Sequence, residues 1–351
     1  MTILDKLKKS SPFSGMPLIS SDDKKEADDG GHSSEASGVN EKISRRFYYP
    51  VAVILATIIL SWMVHGAEIE FALDFPVNIS SEVEGGVDDA IDWIIVTFGD
   101  FFDAVSDAIK VVLGKLRDFL VWIPWPIMMG VIFIIGWKVS SLKIAVMSVT
   151  GLFALALVNL WEPTMVTVAI MIVSVFLAIA IGIPVGIFAA RSNVVDTGIR
   201  PVLDTMQTMP SFVYLVPGIM LFGLGNVAAI FATVLYALPP CIRLTNLGIR
   251  QVDPSVVEAG QSFGSSNMQL LFKIQIPMAI PTIMAGINQT VMMALAMSTI
   301  AAMVGAGGLG IEVLRAMGQL KSGEAVIAGC GIVILAIIID RISQGYIENR
   351  K

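Results

Sequence analysis

The sequence predicts an all-α polytopic membrane protein, with about eight spanning helices and an amphipathic helix on the outer face. Three observations lead there. The 351 residues are 55% hydrophobic and 15% charged, with a mean hydropathy of +0.77, whereas a soluble domain carries about 25% charged residues to cover its surface. The apolar residues gather in runs, many of them approaching the roughly 17–25 residues that a spanning helix needs. The Lys and Arg residues collect between alternate runs, as they do in cytoplasmic loops.

Residues 1–46 are rich in Ser, Asp, Lys and Gly. That composition buries too little apolar surface to offset chain entropy, and it predicts a disordered cytoplasmic tail. The first apolar run follows Arg45 and Arg46, so 47–65 reads as a retained anchor helix and not a cleaved signal. Residues 66–123 form an outer segment with twelve acidic residues. Within it Ile91, Ile95, Phe98, Phe102, Val105, Ile109, Val112, Leu116 and Phe119 recur every three or four positions. This is the period of an amphipathic helix lying on the membrane face or on the bundle.

After the anchor run 47–64, the spans expected within 124–345 are 126–138, 142–161, 164–190, 212–222, 227–244, 279–304 and 325–339. Several are short, which is tolerable where broken helices pack on protein or line a cavity. With the N-terminus inside, the inner side holds Arg45, Arg46, Lys138, Lys143, Arg191, Arg200, Arg243, Arg250, Lys273 and Arg341. Both ends, including 346–351, are then expected in the cytoplasm.

The inner loop 250–277 is structured by its own sequence. Asp253 is a good N-cap and Pro254 fits a first helical turn. Gly264 suits a left-handed helix end. Ser266 and Gln269 have capping-box spacing, which starts a second short helix, and Pro277 is expected to end it. A helix-turn-helix this compact, held between two membrane helices, is built to dock a partner.

Glu258-Ala259-Gly260, Gly264, Ile274 and Pro277 have the spacing of the EAA loop of bacterial ABC importer permeases, whose third position is commonly Ala. In that family the loop is the coupling helix, seated in a groove of the cytoplasmic ATPase. Longer stretches, 200–210, 212–217, 220–223, 281–290 and the Gly-rich run ending at Gly310, resemble the permeases of glycine betaine/proline betaine importers. The resemblance covers most of the chain from Ile91 to Gln344 and leaves the first span and tail as additions. It implies a type I ABC importer permease fold in the bacterial inner membrane, with two copies of this chain forming the path through the lipid bilayer. It also implies an external substrate-binding protein and a separate ATPase that binds ATP and Mg, so that this chain carries no cofactor and meets no nucleic acid. The implied cargo is glycine betaine, proline betaine or a similar quaternary ammonium osmolyte. Choline, trimethylamine N-oxide or taurine are alternatives, and a secondary carrier is a further one.

Other chemistry is disfavoured by what the sequence lacks. No G-x-x-x-x-G-K-[ST] phosphate loop occurs. Gly305, Gly307 and Gly310 match G-x-G-x-x-G, but a membrane helix precedes them where a dinucleotide site needs a strand; a packed outer loop is expected instead. The two histidines and two cysteines have no metal-ligand spacing. The spans carry almost no ionisable residues, which weighs against an ion-driven carrier. Asn288, Gln289 and Thr290 lie within an apolar run, where they either line the path or join helices. Phe212, Tyr214, Phe222 and Tyr236 offer cation–π surface to a quaternary ammonium, or simply pack.

Overall fold

The computed structural model describes residues 33–66 and 79–348, and every regular element among them is helical. The chain falls into two bodies, 1–84 and 85–351. The first contains α1, Ser33–Gly66, whose apolar part Tyr48–Gly66 has 19 residues, about 28 Å of helix and enough to cross a bilayer. The boundary expected at residue 46 therefore moves: 33–46 is helical, while residues 1–32 of the expected tail lie outside the described residues. Glu35, Ala36, Glu41, Lys42, Arg45 and Arg46 are good helix formers, and extending an existing helix avoids the cost of nucleating a new one.

The second body opens with the part of α2, Ser80–Trp122, that follows Glu84; α2 bends by 100° at Pro124 into α3, Trp125–Val139. The expected amphipathic segment is thus helical and runs nearly perpendicular to α3. Leu113 is buried in the main core, with Ile109, Leu116 and Leu120 packed beside it. Phe102 meets Phe222 edge-on at 5.8 Å.

Helix α3 forms a hairpin with α4, Leu142–Leu157, closed where the Ser141 hydroxyl caps the Ile144 N–H at 3.4 Å. Leu152 and Leu155 of α4 pack on Ile338 of α13, Ser322–Glu348. The centre is a layer of three helices: α5, Trp161–Arg191, α8, Asn226–Arg250, and α11, Ile276–Ala301. A Cβ at Gly182 would stand 2.8 Å from Cys241 Sγ, and one at Gly286 would stand 2.9 Å from Leu244 Cβ. Lipid gives helices no hydrophobic reason to associate, so close backbone approach at such small residues supplies the van der Waals contact that does.

Seven of the expected spans fall on helical segments, while 142–161 ends early, at Leu157, and turns through 158–160 with Asn159 at φ 60° before α5. Among the described residues only α1, α5, α8, α13 and the continuous run Asn267–Val304 are singly long and apolar enough to cross. Helices α3 and α4 have 15 and 16 residues, short of the ~20 that a straight span takes. The run 212–222 is a broken crossing. Helix α6, Asn193–Thr208, stops before Pro210, because a residue preceding proline is driven out of helical geometry; Met209 has ψ 137°. A 3-10 turn, Ser211–Tyr214, and α7, Leu215–Phe222, continue it. At one end Arg243 pairs with Asp204, and at the other the Gly225 N–H donates to the Val304 carbonyl at 2.7 Å. Asn226 and Arg243 are about 26 Å apart along α8, so the segment does link its two ends.

Candidate functional site

The loop after α8 folds as its caps dictate. The Asp253 carboxylate accepts the Ser255 N–H at 2.9 Å and starts α9, Pro254–Ser262. Hydrogen bonding from the Ser255 side chain, and then from its backbone, holds the Asp253 carboxyl below its ordinary pKa. Gly264, at φ +78°, ends the helix: its N–H donates to the Gln261 carbonyl at 2.8 Å, and Ser265 donates to Gly260 at 3.1 Å. These two bonds form a Schellman motif. Ser266 and Gln269 then exchange both capping-box bonds, at 2.9 and 3.3 Å, opening α10, Asn267–Leu270.

Pro277 does not end this helix. A π turn, Leu271–Gln275, carries α10 directly into α11, with the Ile276 N–H reaching the Leu271 carbonyl. A proline ring clashes with the carbonyl four residues back in an α-helix, and that carbonyl belongs to Lys273, inside the widened turn.

The motif residues divide between two surfaces. Glu258 and Ala259 are exposed, while Gly260 is buried under Ile274 and Leu270. Pro277 is exposed. Phe263, 90% exposed at the tip beside the turn, was not singled out by sequence reasoning. Its only signal is an aromatic immediately before the turn glycine on a polar helix.

A cleft of about 620 Å³ separates the loop from the bundle, lined by Arg191, Arg250, Glu258, Gln261 and Asn267 among others. Behind it lies a charged cluster. Asp196 is buried and accepts from Arg200 at 2.5 and 3.1 Å and from Asn246 at 2.7 Å. Hydrogen bonding to Arg200 outweighs burial and, with Asn246 and Arg250, holds the Asp196 carboxyl below its usual 3.8.

The five polar or aromatic candidates at membrane depth do not converge. Tyr214 is buried, donating its hydroxyl to the Met206 carbonyl and packing on Tyr236; Phe212 is 59% exposed. Successive helical residues point about 100° apart, and Asn288, Gln289 and Thr290 do so. The Asn288 amide reaches Asp340 of α13 at 3.5 Å, Gln289 is exposed, and Thr290 is buried. The Gly-rich run, which leads into α12, Leu309–Gly318, is pinned: Thr167 accepts the Leu309 N–H at 2.8 Å, and Asn226 accepts that of Gly307 at 3.0 Å.

Residues 182–351 match the model of the family described as "Binding-protein-dependent transport system inner membrane component". The glycine betaine/proline betaine transport system permease protein ProW of Escherichia coli is 46% identical over 262 residues, covering 75% of this chain and 74% of the relative. The chain belongs to that family.

Two more permeases align with this one. The glycine betaine transport system permease protein OpuAB of Bacillus subtilis is 44% identical, over 76% of this chain and 94% of the relative. The trimethylamine N-oxide transport system permease protein TmoV of Ruegeria pomeroyi is 35% identical, over 69% of this chain and 38% of the relative. The family match takes in the permease's inner loop, the central helices α8 and α11, and the pinned Gly-rich run. It begins within α5, so α1 and α2 lie outside it.

Proposed function

We propose that this permease forms the path of an ATP-driven importer of glycine betaine, proline betaine or a similar quaternary ammonium osmolyte in the bacterial inner membrane. Two copies enclose the path, a cytoplasmic ATPase sits on α9 and its turn, and an external binding protein delivers the solute. The observation that carries the reading is the division of the motif. Gly260 locks α9 onto Ile274 and leaves Glu258, Ala259 and Phe263 free on one small rigid projection. A large exposed aromatic such as Phe263 is the kind of side chain that anchors an interface core, with a charge such as Glu258 at its rim. The solute is assigned from the betaine permeases at 44–46% identity. Phe212 and Gln289, which remain exposed, are the residues proposed to face the path.

The test is Glu258→Lys together with Phe263→Ala. Each variant should reach the membrane normally and bind the ATPase at least about tenfold more weakly, as expected when an interface anchor is lost. Unaltered ATPase binding by both variants would remove the docking assignment.

A further inference from the structure

We infer that Arg250 is the positioning residue that transmits movement of the ATPase-docking helix to the membrane helices. The inference rests on the importer reading above. Arg250 is the last residue of α8, four positions before α9 begins at Pro254. Its guanidinium presents a fixed fork of donors, and each nitrogen reaches a different element. Nε donates to Asn246 Oδ1 at 2.9 Å, one turn back on α8. Nη1 donates to Asn193 Oδ1 at 2.8 Å, on the first residue of α6. Nη2 donates to the Ala189 carbonyl at 2.7 Å, in the last turn of α5, and lies 3.7 Å from the buried Asp196 carboxylate.

Three helix ends therefore close on one cation. The Ala189 carbonyl belongs to the last turn of α5, where a helix has spare acceptors and a negative dipole end that favours a positive charge. Arg250 also lines the cleft that Glu258, Gln261 and Asn267 of the docking loop line. Along the chain, α9 follows α8 after just three residues, Gln251, Val252 and Asp253. Arg250 stands where a push on α9 divides between the end of α5 and the start of α6, which leads into the broken crossing. Lysine can replace it only in part, having a point charge in place of a fork.

The experiment uses the full assembly in vesicles and reads solute taken up per ATP hydrolysed. Arg250→Ala should bind the ATPase as the wild type does and hydrolyse ATP within about twofold of it. Its uptake per ATP should fall by about tenfold, on the scale of losing a charge-assisted hydrogen bond. Arg250→Lys should recover part of the ratio, and Asn193→Ala should lower it less than Arg250→Ala. An unchanged ratio in Arg250→Ala, with the wild type coupled, would overturn the inference alone. A wild type that hydrolyses ATP without uptake would overturn the importer reading first. Should Arg250→Ala fail to insert, Asn193→Ala decides: a lowered ratio supports the assignment and a wild-type ratio refutes it.

Discussion

Gly260 and Ile274 meet so closely that a Cβ on the glycine would stand 2.6 Å from the isoleucine Cδ1. The contact joins α9 to the π turn and sets the tilt at which Glu258 and Phe263 project. The second neighbour, at 2.8 Å, is Leu270 Cδ1. Both are tips of flexible side chains, so a methyl group has somewhere to displace them. Gly260→Ala should therefore cost about 1 kcal/mol, the low end for an added methyl group, and keep ATPase binding, whereas Gly260→Leu should abolish it. Comparing the two by thermal melting and ATPase pull-down checks this; equal behaviour would show that the contact does not set the loop.

Gly264 differs in kind, because nothing crowds it and its constraint is backbone. At φ +78° a β-branched residue is strained, at roughly 1–2 kcal/mol for left-handed geometry. Gly264→Val should open the Schellman bonds, raise proteolysis between Phe263 and Ser266, and weaken ATPase binding. Limited proteolysis of the purified permease measures the first effect directly.

These two glycines mark how much of the site was legible in the sequence. Asp253, Gly264 and the Ser266/Gln269 pair each act through their nearest neighbours, and each behaves as its local chemistry requires. Pro277 was not legible, because whether a proline stops a helix depends on the turn before it, here widened into a π turn. Phe263 was missed because its exposure is a tertiary fact. The run 212–222 reads as a span from its apolar composition although it is short; Pro210 separates it from α6, and packing against α8 holds the pieces in line. The Asn288–Thr290 triplet looked like one polar patch in sequence, and helical rotation sends its members to three environments.

On the opposite end of the bundle, a Cβ at Gly308 would lie 2.4 Å from the Thr167 hydroxyl and 3.0 Å from its backbone nitrogen. Backbone cannot give way as a side-chain tip can, and φ is +94°. Gly308→Ala should lose about 1–3 kcal/mol and lower the melting temperature in detergent. A melting curve matching the wild type would mean that the Gly-rich run is free of α5.

Asp196 gives a pH dependence with a definite sign. Its folded pKa is depressed below 3.8, Arg200 being the largest cause. A depressed carboxyl contributes stability that is present above the unfolded value and lost as pH falls through the folded one. Asp196→Asn should melt below the wild type at pH 7, and the gap should close only below pH about 4. A constant gap down to pH 3 would assign the loss to packing and not to charge.

Topology can be read with single cysteines in a background where Cys241 and Cys330 are replaced. Ser81 on α2 should be labelled from outside intact cells, and Ser262 on α9 only after the inner face is opened. The Lys/Arg distribution fixes that expectation. Labelling of Ser262 from outside would invert the arrangement and remove the loop from any cytoplasmic ATPase.

Uptake itself tests the central claim most directly. Vesicles containing this permease and its ATPase, with binding protein outside and ATP within, should accumulate labelled glycine betaine. Accumulation should stop when either protein or ATP is omitted, and an imposed proton or sodium gradient should not replace ATP. Uptake by the permease alone, driven by such a gradient, would contradict the account.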